Sequence, residues 1–483
     1  MEHLLQIFSI IPLLTFVVSL LLPRKNERAI ACTIIGGITL QLLVLLLFIG
    51  YWLGNGHPEL DVKHFTLFKT ADIEIFISFF FDHITAVFAL TGALIALLVS
   101  VFSRTYMHRE AGFKRFFNTL IFFYAGYNIA VFAGNFETLF VGWEIVGVTS
   151  FLLIAFYRDR YLPVKNALKV VSFYRLGDIG LILAMWMSHH LWNENITFFT
   201  LHDFDAVQQH LQQHYWFGVF VAGMIVMAAA AKSAQFPFSS WLPRAMEGPT
   251  VSSAVFYGSL SVHLGVFLLL RTHAYWDTIV YVKALAIVIG LATAVVASLT
   301  ARVQSTVKTQ IAYASAAQIG LIFIEVALGL HTLALFHFAG NAFLRTYQLL
   351  VSPSVLGYRI HNLFFSYKAS ATPAGTGSLS RIKNSLYILS VKEWNMDFMF
   401  YQYLWLPFKK LSGLFDFIGN KVILATGVIV FCLSLLSYFY QQKLHNTVLD
   451  SLPFVLSAFA LILILKVFTG RGDALYGWLA VVC

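Results

Sequence analysis

Residues 216–243 read WFGVFVAGMIVMAAAAKSAQFPFSSWLP. The first half is apolar enough to form a helix inside a bilayer. Four alanines then favour close approach of a neighbouring helix, and Lys232 stands where Pro237 and Pro243 interrupt the helix. In lipid, a broken helix is tolerated only where its freed backbone groups are buried in protein or face a wet cavity. A lysine at an ordinary proline kink would snorkel to the interface. The alanine run argues for tight packing instead, and for an ammonium kept inside the protein as a protonatable switch.

Outward from this stretch, apolar windows of about 20 residues recur along nearly the whole chain. They predict helices near 4–22, 30–53, 77–102, 113–133, 135–156, 164–190, 216–238, 249–271, 278–301, 310–330, 331–352, 422–440 and 451–468. The expected fold class is therefore an all-α polytopic membrane protein with about thirteen transmembrane helices. Its expected domains are an eleven-helix core over 1–352, a cytoplasmic linker over 353–393, an interfacial amphipathic helix over 394–420 and a C-terminal transmembrane pair over 421–483. Only 11% of the 483 residues are charged against 59% hydrophobic, which excludes a soluble globular chain, where roughly a quarter are charged.

The formal net charge of +9 comes from basic residues scattered through short connections, with no dense patch, so it points to membrane topology rather than nucleic acid. Arg24, Lys25, Arg28, Arg104, Arg109, Arg158, Arg244 and Arg302 fall after odd-numbered helices, which places those loops in the cytoplasm and the N-terminus outside. The N-terminus carries Glu2 and no small-residue cleavage site, the pattern of a retained first helix. Cys32, Cys432 and Cys483 form no disulfide or cluster spacing. His210 and His214 are one turn apart near His202, but no third ligand is suitably spaced, and a solvated short helix explains them better than a metal. No metal or cofactor is expected in this chain.

Ionisable groups inside apolar helices cost about 2.5–3.5 kcal/mol each on insertion scales, so each is a functional candidate. Asp82, Glu137, Glu144, Arg175, Asp178, Lys232, His263, Lys308, Glu325, His337 and Arg345 form a series over successive helices. One or two such pairs would suffice merely to orient helices; so long a series points to ion handling. Glu137 and Glu144, seven residues apart, project from about the same helix face.

GNFETLFVGWEIVGVTSFLLIAFY (134–157), RLGD (175–178), KSAQFPFSSWLPRAMEGPT (232–250) and VKTQIAYASAAQIG (307–320) occur in this order. Over roughly residues 75–350 the chain thereby resembles the antiporter-like family of proton-translocating membrane subunits. That family includes the distal large subunit of respiratory NADH:quinone oxidoreductase and the large subunits of multi-subunit cation/proton antiporters. The resemblance implies that Glu144 and Lys232 form an ion pair whose making and breaking gates proton uptake, with Arg175 and Asp178 beside it. It implies further that Lys308 is a central relay lysine and His337 the first of a His, His, Lys series. Here the second histidine is Asn341 and the lysine Arg345, neither of which hands on a proton. A family histidine after the broken helix falls on Tyr257, His263 lies further on, and Glu137 and Glu325 are additional carboxylates. No second broken helix with its own lysine follows Arg345, so the second half looks shortened.

A narrower resemblance, carried by FPFSSWLPRAMEGPT, VFYGSLSVHLGVFLLLRT and NAFLRTYQLLVSPSVLGYRI, is to the membrane subunit of DAB-type inorganic carbon accumulation systems. It implies a bacterial inner-membrane subunit that couples an H⁺ or Na⁺ gradient to one-way hydration of carbon dioxide to bicarbonate. The catalysis would lie in a large cytoplasmic zinc-containing partner similar to a β-carbonic anhydrase, so the zinc would be the partner's and the chain itself no enzyme.

Overall fold

The structure, a computed structural model, describes residues 4–69, 74–366, 378–415, 419–439 and 446–469. The elements are α1 (Ile7–Leu21), α2 (Glu27–Gly54), β1 (Leu60–Lys69), β2 (Glu74–Phe81), α3 (His83–Tyr106), α4 (Phe113–Val131), α5 (Phe136–Ile154), α6 (Tyr161–Trp192), α7 (Phe204–Gln213), α8 (Tyr215–Lys232) and α9 (Thr250–Arg271). There follow α10 (Val280–Ala301), α11 (Val307–Ala327), α12 (His331–Ser366), α13 (Ser378–Val391), α14 (Leu406–Gly413), α15 (Asn420–Phe439) and α16 (Asn446–Thr469). By length and composition, α2, α3, α5, α6, α8, α9, α10 and α11 are able to cross a membrane. The other expected spans fall on shorter apolar stretches, Ile7–Leu21, Ala425–Ser437 and Phe454–Lys466, or on α4 and α12.

The chain divides into two compact units, Met1–Trp394 and Asn395–Cys483. In the first, small residues set the helix spacing. A Cβ on Gly142 of α5 would lie 2.3 Å from the Ala130 nitrogen of α4, and one on Gly290 of α10 would lie 2.4 Å from the Gly320 carbonyl of α11. Gly180 of α6 meets the Met224 carbonyl of α8 in the same way. α9 is the centre of the bundle, with every residue of its apolar window buried. In the second unit, α14 and α16 pack together, Ser412 Oγ donating to the Leu465 carbonyl.

The all-α expectation needs one correction. β1 and β2 form an antiparallel hairpin, Leu60 opposite Phe81 and Lys69 opposite Glu74. The helix expected from residue 77 therefore begins at His83. β2, EIFISFFF, is rich in Ile and Phe, which favour extended backbone, and Asp82 ends it by capping α3, its Oδ1 accepting from Thr85 N at 2.8 Å. Within the segment expected as a linker, 353–366 continues α12 and 378–391 forms α13; residues 367–377 lie outside the described set. Over 394–420, short helical turns Met396–Phe400 and Tyr401–Trp405 lead into α14. Among the described cysteines, Cys32 and Cys432 are free; Cys483 lies outside them, as do 470–482 of the expected C-terminal pair.

Candidate functional site

α8 ends at Lys232, Ala234 takes a left-handed turn with φ of 52°, and Phe238–Ser240 and Trp241–Arg244 are single turns. The backbone groups freed by this break are satisfied inside the protein. The Ala231 carbonyl accepts from Trp241 Nε1 at 3.0 Å, Phe236 N donates to Thr293 Oγ1 at 2.8 Å, and Gln235 N donates to the Ala230 carbonyl at 2.8 Å. Lys232, 1% exposed, donates to the Trp143 carbonyl at 3.2 Å. Its ammonium lies 4.5 Å from the Trp143 ring centroid and 4.4 Å from that of Tyr174, so aromatic faces take the place of water around the charge.

The expected Glu144–Lys232 pair is not formed. Arg175 takes Glu144 in a fork, Nη1 to Oε1 at 3.1 Å and Nη2 to Oε2 at 2.7 Å, and its Nε lies 3.2 Å from Asp178 Oδ2. Asp178 Oδ1 accepts from Trp143 Nε1 at 2.8 Å. A guanidinium with five fixed donors forks onto one carboxylate and still ion-pairs with a second, which a single ammonium does less well; Asp178 Oδ2 is left without a hydrogen bond of its own. Trp143 touches both halves of the site, Lys232 through its carbonyl and ring and Asp178 through its indole N–H. Sequence reading missed it, although it adjoins Glu144.

Four buried hydroxyls, Tyr174, Tyr257, Ser150 and Ser261, gather beyond the Tyr174 ring, each without a well-formed hydrogen bond among protein atoms. Buried hydroxyls in this condition are ordinarily satisfied by ordered water. Tyr257 lies in a seven-residue π-helical stretch of α9, Ala254–Leu260, followed by the tight turn Ser261–His263, so a second irregular helix faces the broken end of α8.

The remaining candidates form separate groups. Lys308 donates to the Gly248 carbonyl at 3.0 Å and the Met246 carbonyl at 3.4 Å. His337 bonds Glu325 through Nδ1 and Gln318 through Nε2, both at 2.8 Å. Gln318 was missed, although it stands seven residues before Glu325 and so on the same helix face. His263 bonds Asn341, which bonds Arg345. Glu137 is half-buried in the first turn of α5, away from the Glu144–Arg175 fork. Asp82 joins Arg271 in a buried fork at 2.9 and 3.0 Å. Among the described residues no hydrogen bond or ion pair links Lys232, Lys308 and His337 directly, and no cluster of three His, Cys, Asp or Glu could hold a metal.

Residues 133–367 match the family described as "NADH:quinone oxidoreductase/Mrp antiporter, TM", and 67–117 match "NADH-Ubiquinone oxidoreductase (complex I), chain 5 N-terminus". NADH-ubiquinone oxidoreductase chain 5 of Halichoerus grypus is 32% identical over 306 residues, 63% of this chain and 48% of the relative. The Petromyzon marinus protein of the same name is 34% identical over 290 residues, 60% and 46% respectively. The chain thus spans about half the length of the curated relatives it matches. Among solved structures, the Mrp complex from Dietzia sp. DQ12-45-1b superposes with a TM-score of 0.62 at 21% identity, over 80% of this chain and 42% of that one. An archaeal membrane-bound sulfane sulfur reductase complex gives 0.61 at 18% identity, over 80% and 62%; at these identities the likeness is one of fold. With two adjoining family segments covering more than half of its residues in a shared fold, the chain belongs to the antiporter-like family of membrane subunits.

Proposed function

We propose that this chain is the ion-translocating membrane subunit of a two-component inorganic carbon system, with Lys232 as its switch. The observation that carries ion handling is the seat of Lys232: a buried ammonium on aromatic faces and a carbonyl, while Arg175 occupies both nearby carboxylates. Two arrangements of the same charges follow. Arg175, whose side chain is 48% exposed, swings away; Glu144 or Asp178 then takes Lys232, and a proton is gained or lost as the partners exchange. One charge crossing 100 mV releases about 2.3 kcal/mol, enough to shift such an equilibrium more than tenfold.

The carbon role rests on the three narrower motifs and on Asn341 and Arg345, which hand on no proton at the positions where the resemblance implies a histidine and a lysine. A chain with no hydration chemistry of its own needs a partner, in this reading a large cytoplasmic zinc protein similar to β-carbonic anhydrase. The cytoplasmic side of a bacterial inner membrane carries the basic loops, and the N-terminus lies outside. Lys232→Ala is expected to abolish gradient-dependent bicarbonate accumulation while the zinc protein still co-purifies; wild-type accumulation would sink the switch. A zinc-free complex with quinone-reductase subunits would instead establish the second reading, a respiratory or cation/proton antiporter subunit, which the 31–34% identity to NADH-ubiquinone oxidoreductase chain 5 favours.

A further inference from the structure

His263, Asn341 and Arg345 are 0%, 4% and 8% exposed and bond in series. Their chemistry fixes the direction of every bond. Arg345 is a donor only, so the atom it meets at 3.1 Å through Nε must be the amide oxygen of Asn341. Nη1 donates to Gln348 Oε1 at 2.7 Å and Nη2 to the Ala314 carbonyl at 3.2 Å, so each nitrogen of the guanidinium is anchored. The amide NH₂ therefore faces His263 Nε2, at 3.1 Å. An NH₂ group only donates, so Nε2 must present its lone pair. On the other side of the ring, Nδ1 meets the Ser259 carbonyl, which only accepts, so the single ring proton belongs on Nδ1. A second proton, on Nε2, would set two donors against each other. Turning the amide to receive it would set the NH₂ against Arg345.

The position of this series matters as much as its polarity. His263 follows the hydroxyl cluster of Tyr174, Tyr257, Ser150 and Ser261, which begins at the Lys232 seat. On its other side lie Phe338, with ring centroids 5.0 Å apart, and then His337 with Glu325 and Gln318. The charged or titratable groups that face the ring are His337 and Arg345 from α12; the neighbouring charge of α8, Lys232, is directed to Trp143 instead.

We propose that Arg345 and Asn341 make His263 a proton stop, holding it as the Nδ1–H tautomer and sealing the Lys232 side of the bundle from the Glu325–His337 side. Arg345 and Asn341 are positioning residues here, and a proton arriving through the hydroxyl cluster finds the Nε2 lone pair already engaged. The proposal rests on Lys232 handling ions, but its spectroscopic test does not depend on translocation.

The full chain, ¹⁵N-labelled at histidine, is reconstituted in lipid, and the His263 signals are assigned by comparison with His263→Gln. One protonated and one bare nitrogen, unchanged between about pH 5 and pH 8, are expected. Asn341→Asp and Arg345→Gln should let the ring titrate in that window, whereas Arg345→Lys, still a donor only, should keep the wild-type pattern. In liposomes under an imposed pH difference, Asn341→Asp should leak protons roughly tenfold faster than wild type, the scale of one displaced hydrogen bond to a charged group. A wild-type His263 that titrates, or variants that change neither tautomer nor leak, would overturn the stop, as would a changed tautomer without leak. If a variant does not fold, the wild-type and Arg345→Lys spectra still decide. Loss of the Lys232→Ala phenotype would remove the ion-coupling function and leave the tautomer result standing.

Discussion

Arg271 shows how a single residue is hidden by its position in the sequence. It ends α9, where a lone arginine looks like part of a polar connection, yet its side chain is fully buried against Asp82 and donates to Thr85 Oγ1 at 2.6 Å. Asp82 was legible as a buried charge; its partner, 189 residues away, was not, because no local pattern marks such a pair. Breaking it strands a charge, so Arg271→Ala is expected to destabilise the chain by roughly 3–5 kcal/mol, read as a fall in denaturation midpoint in detergent. Asp82→Asn combined with Arg271→Leu should recover most of that loss, since asparagine still caps α3 and no lone charge remains. Equal losses in the single and double variants would show that the pair acts by more than neutralisation. At the Lys232 seat, Trp143→Phe keeps an aromatic face, though a smaller one, and the backbone carbonyl but removes the N–H bond to Asp178. It should cost about 1.5–3 kcal/mol, the scale of a hydrogen bond to a charged group, measured in the same way.

At the scale of elements, the helices were legible because apolar windows of membrane length leave few alternatives, and the broken helix because proline and lysine stand together in one of them. The hairpin was not legible. EIFISFFF is apolar at nearly every position, so it lacks the alternation that marks a half-exposed strand, and only Asp82 and His83 part it from the apolar run of α3. What stops the helix from extending backward is Asp82, and a capping aspartate inside an apolar run is easily read as a buried functional charge. Glycines divide by what faces them. Gly142→Ala should destabilise by roughly 1–3 kcal/mol, because its new methyl would meet the α4 backbone, which has no side-chain freedom to give way. Gly36→Ala in α2, with nothing within 4 Å, should be neutral or stabilise by about 0.5–1 kcal/mol. Away from the candidate membrane-spanning helices, Glu74 on β2 accepts from Lys63 Nζ at 2.7 Å and Thr66 Oγ1 at 2.9 Å, bonds that hold its carboxyl below the ordinary carboxylate value. Its contribution is therefore present above the unfolded value of 4.5 and disappears as the pH falls through the lower folded one. Amide exchange in the hairpin, corrected for its intrinsic pH dependence, should rise only on that acidification, and Glu74→Gln should flatten the profile.

Across the first unit, burial and charge are arranged concentrically. The apolar window of α9 is wholly enclosed, whereas those of α2 and α10 are 33% and 39% buried and present Leu43, Leu46, Leu47, Val288, Leu291 and Val295 outward. A soluble protein would not expose such rows of leucine and valine; hydrocarbon would accommodate them at no cost. The polar atoms that hydrocarbon would penalise are drawn toward α9: the Tyr257 and Ser261 hydroxyls, His263, and the Arg271 that binds Asp82. This inversion is why so small a charged fraction drew attention to groups that the fold encloses, while their connectivity escaped the sequence: composition reports which groups are inside but not which neighbour each one chooses. It also makes the placement in lipid testable without any transport assay. A photoactivated probe carried on lipid acyl chains should label the outward side chains of α2 and α10, with Leu47, 76% exposed, among the strongest. It should leave α9 unlabelled, even though the π-helical and tight turns of α9 break its regular hydrogen bonding and would open readily if they faced the bilayer. Labelling of α9 at the level of α2 would mean that the central helix is reached by lipid, and the hydroxyl cluster between Lys232 and His263 would lose its enclosure.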